Sequence, residues 1–203
     1  MKTLPTKFNG ITFRSRTEAR WAVFMDYAGI PFEYEPEGYD LGKAGWYLPD
    51  FWLLSLEMFL EIKPAHPVPG RSSPVEALCL ETKKPVFQIF GSPTPTFDFC
   101  EHDSPNSGEM WTYEEPLPEL PPLDLDDMLD LPAGEKLAHP QVGYDEPYFF
   151  CCCPICKKMG VEFLGRAERI NCKHGDAGGH KTYNADDPFL LNAYAAAVNA
   201  FKY

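Results

Sequence analysis

The first ninety residues predict an α/β unit in the order α-β-β-β-α-β, followed by an acidic connection and a small cysteine-rich module. Three observations lead there. Helical and strand patterns alternate through residues 7–91 with Gly and Pro at the breaks. Residues 92–150 are crowded with Pro, Asp and Glu, and five of the seven cysteines fall after residue 150. The expected units are therefore a core at 1–91, an acidic Pro-rich connecting segment at 92–150, and a module with a C-terminal helix at 151–203. No internal repeat is present.

The first helix begins at Ser15-Arg16-Thr17-Glu18, a capping box with Ser15 as N-cap and Glu18 as N3, and stops at Gly29. Its apolar stripe is Trp21, Phe24, Met25 and Ala28, the spacing of a helix lying on a sheet. Extending that stripe back one turn reaches Glu18. Strands are expected at 32–35, 47–54 and 58–63, then a helix at 74–83 with Pro74 at N1, then a strand at 86–90. The 92–150 segment reads as mostly irregular, with Phe97, Phe99, Trp111 and Tyr113 as anchors and a short helix around 123–131. After the cysteines, Asp186-Asp187-Pro188 starts a helix that is apolar on nearly every face, to be buried against the module or the core.

The formal charge of −12 argues against a nucleic-acid partner until it is mapped along the chain. Residues 1–91 carry 10 Lys plus Arg against 11 Asp plus Glu, residues 92–150 carry 1 against 14, and the remainder carries 7 against 5. Nearly all the acidity sits in the middle. No stretch approaches the ~20 apolar residues of a membrane span, and the N-terminus lacks a secretory apolar core. A soluble cytoplasmic protein without a membrane partner is expected, and an odd number of clustered cysteines suits a metal site better than a disulfide framework.

The runs YLPDFWLL and EMFLEIK are separated only by Ser55-Leu56, which implies an antiparallel hairpin whose paired residue numbers sum to 111. Asp50 then faces Glu61 across the strands. Directly opposed side chains have Cβ atoms roughly 4.5–5.5 Å apart, so two carboxylates there repel unless a cation lies between them. Strand alternation puts Lys63 on the face of Glu61, with Met58, Leu60 and Ile62 on the other. Hard oxygen donors beside one ammonium describe a Mg²⁺ or Mn²⁺ site for phosphodiester chemistry, with Glu18 extending the metal shell from the helix. Arg14, Arg16 and Arg20 flank Glu18 and are candidates for holding phosphates. Each also has a plainer role. Glu18 serves as a capping residue, Glu61 and Lys63 suit a solvated strand face, and exposed arginines are common on first helical turns.

Pro49-Asp50 followed by Glu61-Ile62-Lys63, with the helical Glu18 upstream, resembles the PD-(D/E)XK nuclease superfamily. SRTEARWA, followed by EYEPEGYDL and PDFWL, is similar to small phage-borne and resolvase-like members. The match covers roughly residues 8–91, and the 11-residue spacing from Asp50 to Glu61 is short for the family. The resemblance implies a restriction-endonuclease-like core, a mixed sheet flanked by helices. It also implies a metal-dependent DNA endonuclease with Glu18, Asp50, Glu61 and Lys63 as catalytic residues, acting in a bacterium or phage-infected cell. Many such nucleases cut as homodimers, but no residue here identifies a dimer face.

In the C-terminal module, Cys153-Pro-Ile-Cys156 and, further on, Cys172-Lys-His174 have the spacing of a zinc ribbon, and Zn²⁺ is the expected structural ion. His180 is the rival fourth ligand, beyond a glycine-rich loop, while Cys151 and Cys152 would serve only in a shifted register. Lys157, Lys158, Arg166, Arg169, Lys173 and Lys181 make the module a candidate DNA-binding accessory. A second functional class stays open: a regulatory protein on a nuclease fold, whose acidic segment mimics DNA or engages a basic protein partner. The two join if that segment competes with DNA for the groove.

Overall fold

The computed structural model describes residues 4–64, 74–96, 106–113, 141–165, 170, 172–174 and 185–202. The chain opens with a hairpin of β1 (Thr6–Phe8) and β2 (Ile11–Phe13), turned by Asn9 and Gly10 at φ of 46° and 83°. That pair of positive φ angles is the signature of the tight turn favoured by Asn-Gly, a signal passed over when only helix and strand periods are read. Helix α1 (Arg16–Ala28) follows, with Ser15 Oγ accepting from the Glu18 amide at 3.1 Å and Gly29 closing the end at φ 68°. Ser15 as N-cap and Gly29 as the stop are both met, while the Glu18 carboxylate takes the Arg14 amide rather than the Ser15 amide of a full capping box.

The central sheet has seven strands in the order β11-β10-β9-β8-β7-β6-β3. In chain order these are β3 (Phe32–Tyr34), β6 (Phe51–Leu53), β7 (Met58–Lys63), β8 (Val86–Phe90), β9 (Gly108–Tyr113), β10 (Gln141–Cys152) and β11 (Met159–Phe163). Neighbours are antiparallel except β7 and β8, which run parallel and are joined through helix α2 (Pro74–Thr82). The remaining strands, β4 (Tyr39–Asp40) and β5 (Trp46–Tyr47), pair with each other outside this sheet. The single strand expected at 47–54 is therefore split. Pro49 has no N–H for a ladder bond, so the chain bends at Pro49-Asp50 before β6 begins.

Each face of the sheet is covered. Phe51, Leu53, Leu60, Phe87 and Ile89 pack beneath α1 and the C-terminal helix α3 (Pro188–Asn199), while Phe59 and Val86 meet Val75, Leu78 and Cys79 of α2 on the opposite face. Phe24 of α1 stacks on Tyr194 of α3 with ring centroids 4.3 Å apart, and Trp21 meets Tyr194 edge-on at 6.1 Å. Each such fully buried side chain contributes roughly 1.5–3 kcal/mol relative to exposure. Asp187 caps α3, accepting from the Phe189 amide at 2.9 Å, with Pro188 at the first helical position.

The sheet runs across the unit boundaries expected near 91 and 150. The irregular reading of 92–150 is corrected at 108–113 and 141–150, where β9 and β10 extend the sheet begun by the N-terminal core. Met110 enters the core under α1 and α3, while Trp111 and Tyr113 lean on the α2 side. Packing on an existing sheet thus outweighs a Pro-rich neighbourhood. The helix expected at 123–131 lies outside the described residues, as do Phe97, Phe99, Arg166, Arg169, His180 and Lys181. Among the described residues, no helix is long and apolar enough to cross a membrane.

Candidate functional site

The β6–β7 ladder pairs Phe51 with Leu60, Trp52 with Phe59 and Leu53 with Met58, the register in which paired numbers sum to 111. Continuing it one step, past the end of the formal ladder, sets Asp50 beside Glu61. Side-chain bonds hold this junction together. The Asp50 amide donates to Glu61 Oε1 at 3.0 Å, and Asp50 Oδ2 accepts from the Ile62 amide at 2.8 Å. Glu61 is 1 % exposed and Asp50 5 %. Lys63 Nζ donates to Glu61 Oε2 at 2.9 Å and to Tyr47 Oη at 3.1 Å, so the strand alternation that predicted a Glu61–Lys63 pair produces a direct contact. Ile62 is only partly buried, unlike the core residues Met58 and Leu60.

Carboxylates buried this deeply lie where charge is poorly solvated. Burial pushes the Asp50 carboxyl up, and the Glu61 charge pushes it further, to about 7, against the opposing pull of the Ile62 amide and Lys63. Burial, and then the Glu61 charge, raise the Tyr47 phenol far above its ordinary range, so it stays a protonated hydroxyl.

Glu18 approaches from α1, and its carboxylate is already heavily used. Oε1 accepts from Ser15 Oγ at 2.7 Å, while Oε2 accepts from Tyr34 Oη at 2.6 Å and from the Arg14 amide at 3.2 Å. Capping and membership of the cluster therefore coexist rather than compete. The Tyr34 phenol is pushed up by burial and by its bond to Glu18.

Arg14, emerging directly from β2, ties the site together. Its Nη2 lies 2.5 Å from Asp50 Oδ1, its Nε lies 2.7 Å from Glu35 Oε1 and 3.9 Å from Glu18 Oε2. Although burial works to lower its proton affinity, the charge of Asp50 and then the Tyr34 bond and the other carboxylates hold the guanidinium firmly charged. Glu35 sits at φ 48° and its amide donates to the Asp50 carbonyl at 2.9 Å, fixing the strand end from which Asp50 projects. Of the other two arginines, Arg16 is half-buried on the first turn, and Arg20 Nε is buried with no hydrogen-bond partner among the described residues. Neither contacts Asp50 or Glu61 among the bonds described. Sequence reasoning missed Tyr34, Glu35 and Tyr47; only the fold brings them to the carboxylates.

The second site lies at the far edge of the sheet. Cys153, Cys156, Cys172 and His174 place one ligand atom each within 4.8 Å of the others, a Cys₃His set that could bind a metal such as zinc. Cys153 and Cys156 come from the turn joining β10 to β11, which is closed by Cys153 N–H to Lys158 O and Lys157 N–H to Cys153 O, both 2.9 Å. His174 Nδ1 lies 3.7 Å from both Cys153 Sγ and Cys172 Sγ. Burial alone would raise the Cys153 thiol, but the amides of Cys156 and Ile155 and the neighbouring thiols outweigh it and lower it to about 6. Such a thiolate is ready for a cation at neutral pH. Cys151 and Cys152 are buried in β10 and stand outside the cluster, while Lys157 reaches Asp187 at 2.7 Å and fastens the turn to the start of α3.

Among the described residues this is the one group of three or more His, Cys, Asp or Glu ligand atoms so closely gathered. Glu18, Asp50 and Glu61 are spread more widely around Arg14 and Lys63. Compared with protein-family models, curated proteins and solved structures, the chain matches none.

Proposed function

We propose that this chain is a metal-dependent deoxyribonuclease built on a restriction-endonuclease-like core, with a zinc-stabilised C-terminal edge. The observation that carries the reading is the hairpin register, which joins Asp50, Glu61 and Lys63 in one bonded group at a bent strand entry. Within the central sheet the succession α1-β3-β6-β7-α2-β8 keeps the α-β-β-β-α-β order once β4 and β5 are set aside, and with the parallel β7–β8 pair it supports the core assignment.

Asp50 and Glu61 fit a hard divalent cation. They are buried oxygen donors whose crowding already drives Asp50 toward protonation, a penalty that a Mg²⁺ or Mn²⁺ ion would relieve. Glu18 stands at the margin of that shell. A bound ion would supply Lewis-acid chemistry, making a water more acidic and offsetting phosphate charge. Lys63, held by Glu61 and Tyr47, aims its ammonium at charge developing on the phosphate oxygens. Hydrolysis adds water across one P–O bond, leaving a phosphate on one fragment and a hydroxyl on the other.

The test uses full-length, zinc-loaded protein with Mg²⁺ or Mn²⁺ and a panel of duplex, nicked, branched and single-stranded DNA. Cleavage of at least one substrate is expected, with K63A slower by about 100-fold or more, the usual cost of losing a charge-stabilising donor. Absence of cleavage across the panel, or full activity in both K63A and D50A, overturns the assignment.

A further inference from the structure

Four carboxylates converge on this site, from Glu18, Glu35, Asp50 and Glu61, and the cations bonded among them are Arg14 and Lys63. The two cations divide the work. Lys63 binds only Glu61 among these four, whereas Arg14 spans the other three and takes the Asp50 oxygen left free by the Ile62 amide. Asp50 Oδ1 is thus the carboxylate oxygen that points away from the sheet backbone, and a guanidinium covers it.

Arg14 is built to let go. Its backbone is fixed, with the amide donating to Tyr34 Oη at 3.0 Å and to Glu18 Oε2 at 3.2 Å. Its side chain, by contrast, is 51 % exposed. The guanidinium can therefore swing toward solvent about an anchored Cα without disturbing the hairpin or the helix cap. A divalent ion entering at Asp50 would meet a positive group at hydrogen-bond distance from the same oxygen, and the two like charges would repel each other and compete for it.

We infer that Arg14 is an internal counter-cation that occupies the Asp50 end of the divalent-metal site, and that metal binding displaces its guanidinium outward to where it can meet a substrate phosphate. This rests on the carboxylate cluster being the metal site proposed above. It gives Arg14 two positions in place of the simple phosphate contact that its place in the sequence suggests. In the absence of divalent metal the arginine keeps the buried carboxylates from repelling one another. Once metal is bound, a planar guanidinium freed beside it suits bidentate contact with a phosphate. In both states a cation lies against Asp50.

Competition for one oxygen has a measurable sign. In full-length protein loaded with zinc, Mn²⁺ binding is measured by the paramagnetic resonance signal of free Mn²⁺ for wild type, R14Q and D50N. R14Q is expected to bind Mn²⁺ about fivefold more tightly than wild type, the equivalent of one partly exposed ion pair removed from competition. D50N is expected to lose that binding. If R14Q binds Mn²⁺ equally or more weakly while D50N abolishes binding, the displacement is wrong and the carboxylate metal site stands. If neither wild type nor R14Q shows binding that depends on Asp50, the metal site itself is wrong.

A second measurement reads the arginine itself, with D50N as the control for binding. The Arg14 Nε–Hε resonance of wild-type protein, whose nitrogen lies 2.7 Å from Glu35 Oε1, should shift toward solvent-exposed values during a Mg²⁺ titration. An unmoved resonance at saturating, Asp50-dependent binding also overturns the displacement.

Discussion

Replacing Asp50 by asparagine should stabilise the protein at alkaline pH, and the gain should fade as the pH falls. The wild-type carboxyl is raised from an ordinary 3.8 to about 7 by burial and by Glu61. Between those values the unfolded chain has released its proton while the native state retains it. The native state binds more protons, so stability is lost as pH rises through this window. At 1.36 kcal/mol per tenfold change in proton affinity, the raised Asp50 carboxyl costs the native state roughly 4 kcal/mol at pH 8, where it is ionised, and roughly 2 kcal/mol at pH 5, where it is protonated while the unfolded chain is not. D50N keeps an acceptor for the Ile62 amide and removes the charge. Its advantage over wild type should therefore grow by roughly 2–3 kcal/mol from pH 5 to pH 8, or roughly 5–10 °C in Tm for a domain of this size. Urea unfolding of zinc-loaded wild type and D50N at both pH values measures the difference directly, and comparing the two proteins cancels any pH effect on the zinc site. Mg²⁺ added at pH 8 should stabilise wild type and leave D50N unmoved. A variant less stable than wild type at pH 8, or a difference independent of pH, would show that Asp50 is not a crowded carboxylate.

Other outcomes follow from the packing and the second site. Purified protein should contain one zinc per chain by elemental analysis; C172S should lose it, and chelation should lower the melting temperature because the ion would tie Cys172 and His174 to the β10–β11 turn. F24A should cost about 3–5 kcal/mol in chemical unfolding, since Phe24 is fully buried between Tyr194, Trp21 and Phe150. S15A should cost about 1 kcal/mol by the same measurement, because it removes both the cap on the Glu18 amide and a donor to the Glu18 carboxylate. A loss of less than a few tenths of a kcal/mol would mean that water replaces both bonds.

Local rules account for much that was legible in the linear chain. The capping box at Ser15 and Glu18, the stop at Gly29, the strands at 58–63 and 86–90 and the hairpin register each depend on residues within a dozen positions of one another. The knuckle Cys153-Pro-Ile-Cys156 is local in the same way, and its partners Cys172 and His174 were legible because zinc chemistry restricts the ligand types. Less was visible where packing overrides composition. Strand β9 sits in a Pro-rich, acidic region and forms because β8 offers it a free edge and the two faces already hold helices.

The carboxylate site shows the same division at closer range. The sequence by itself determined that Asp50, Glu61 and Lys63 would share one end of a hairpin, because strand period and turn length leave one register that buries the apolar residues. It also determined that Glu18 would stand on the first turn of α1. Only the tertiary structure decided what surrounds them. Arg14 arrives from β2, Tyr34 and Glu35 from β3, and Tyr47 from the small β4–β5 pair. None of these placements is a matter of period or spacing. They are set by how the hairpins and α1 close over the edge of the sheet, and there each buried charge must find the partner that packing brings within reach.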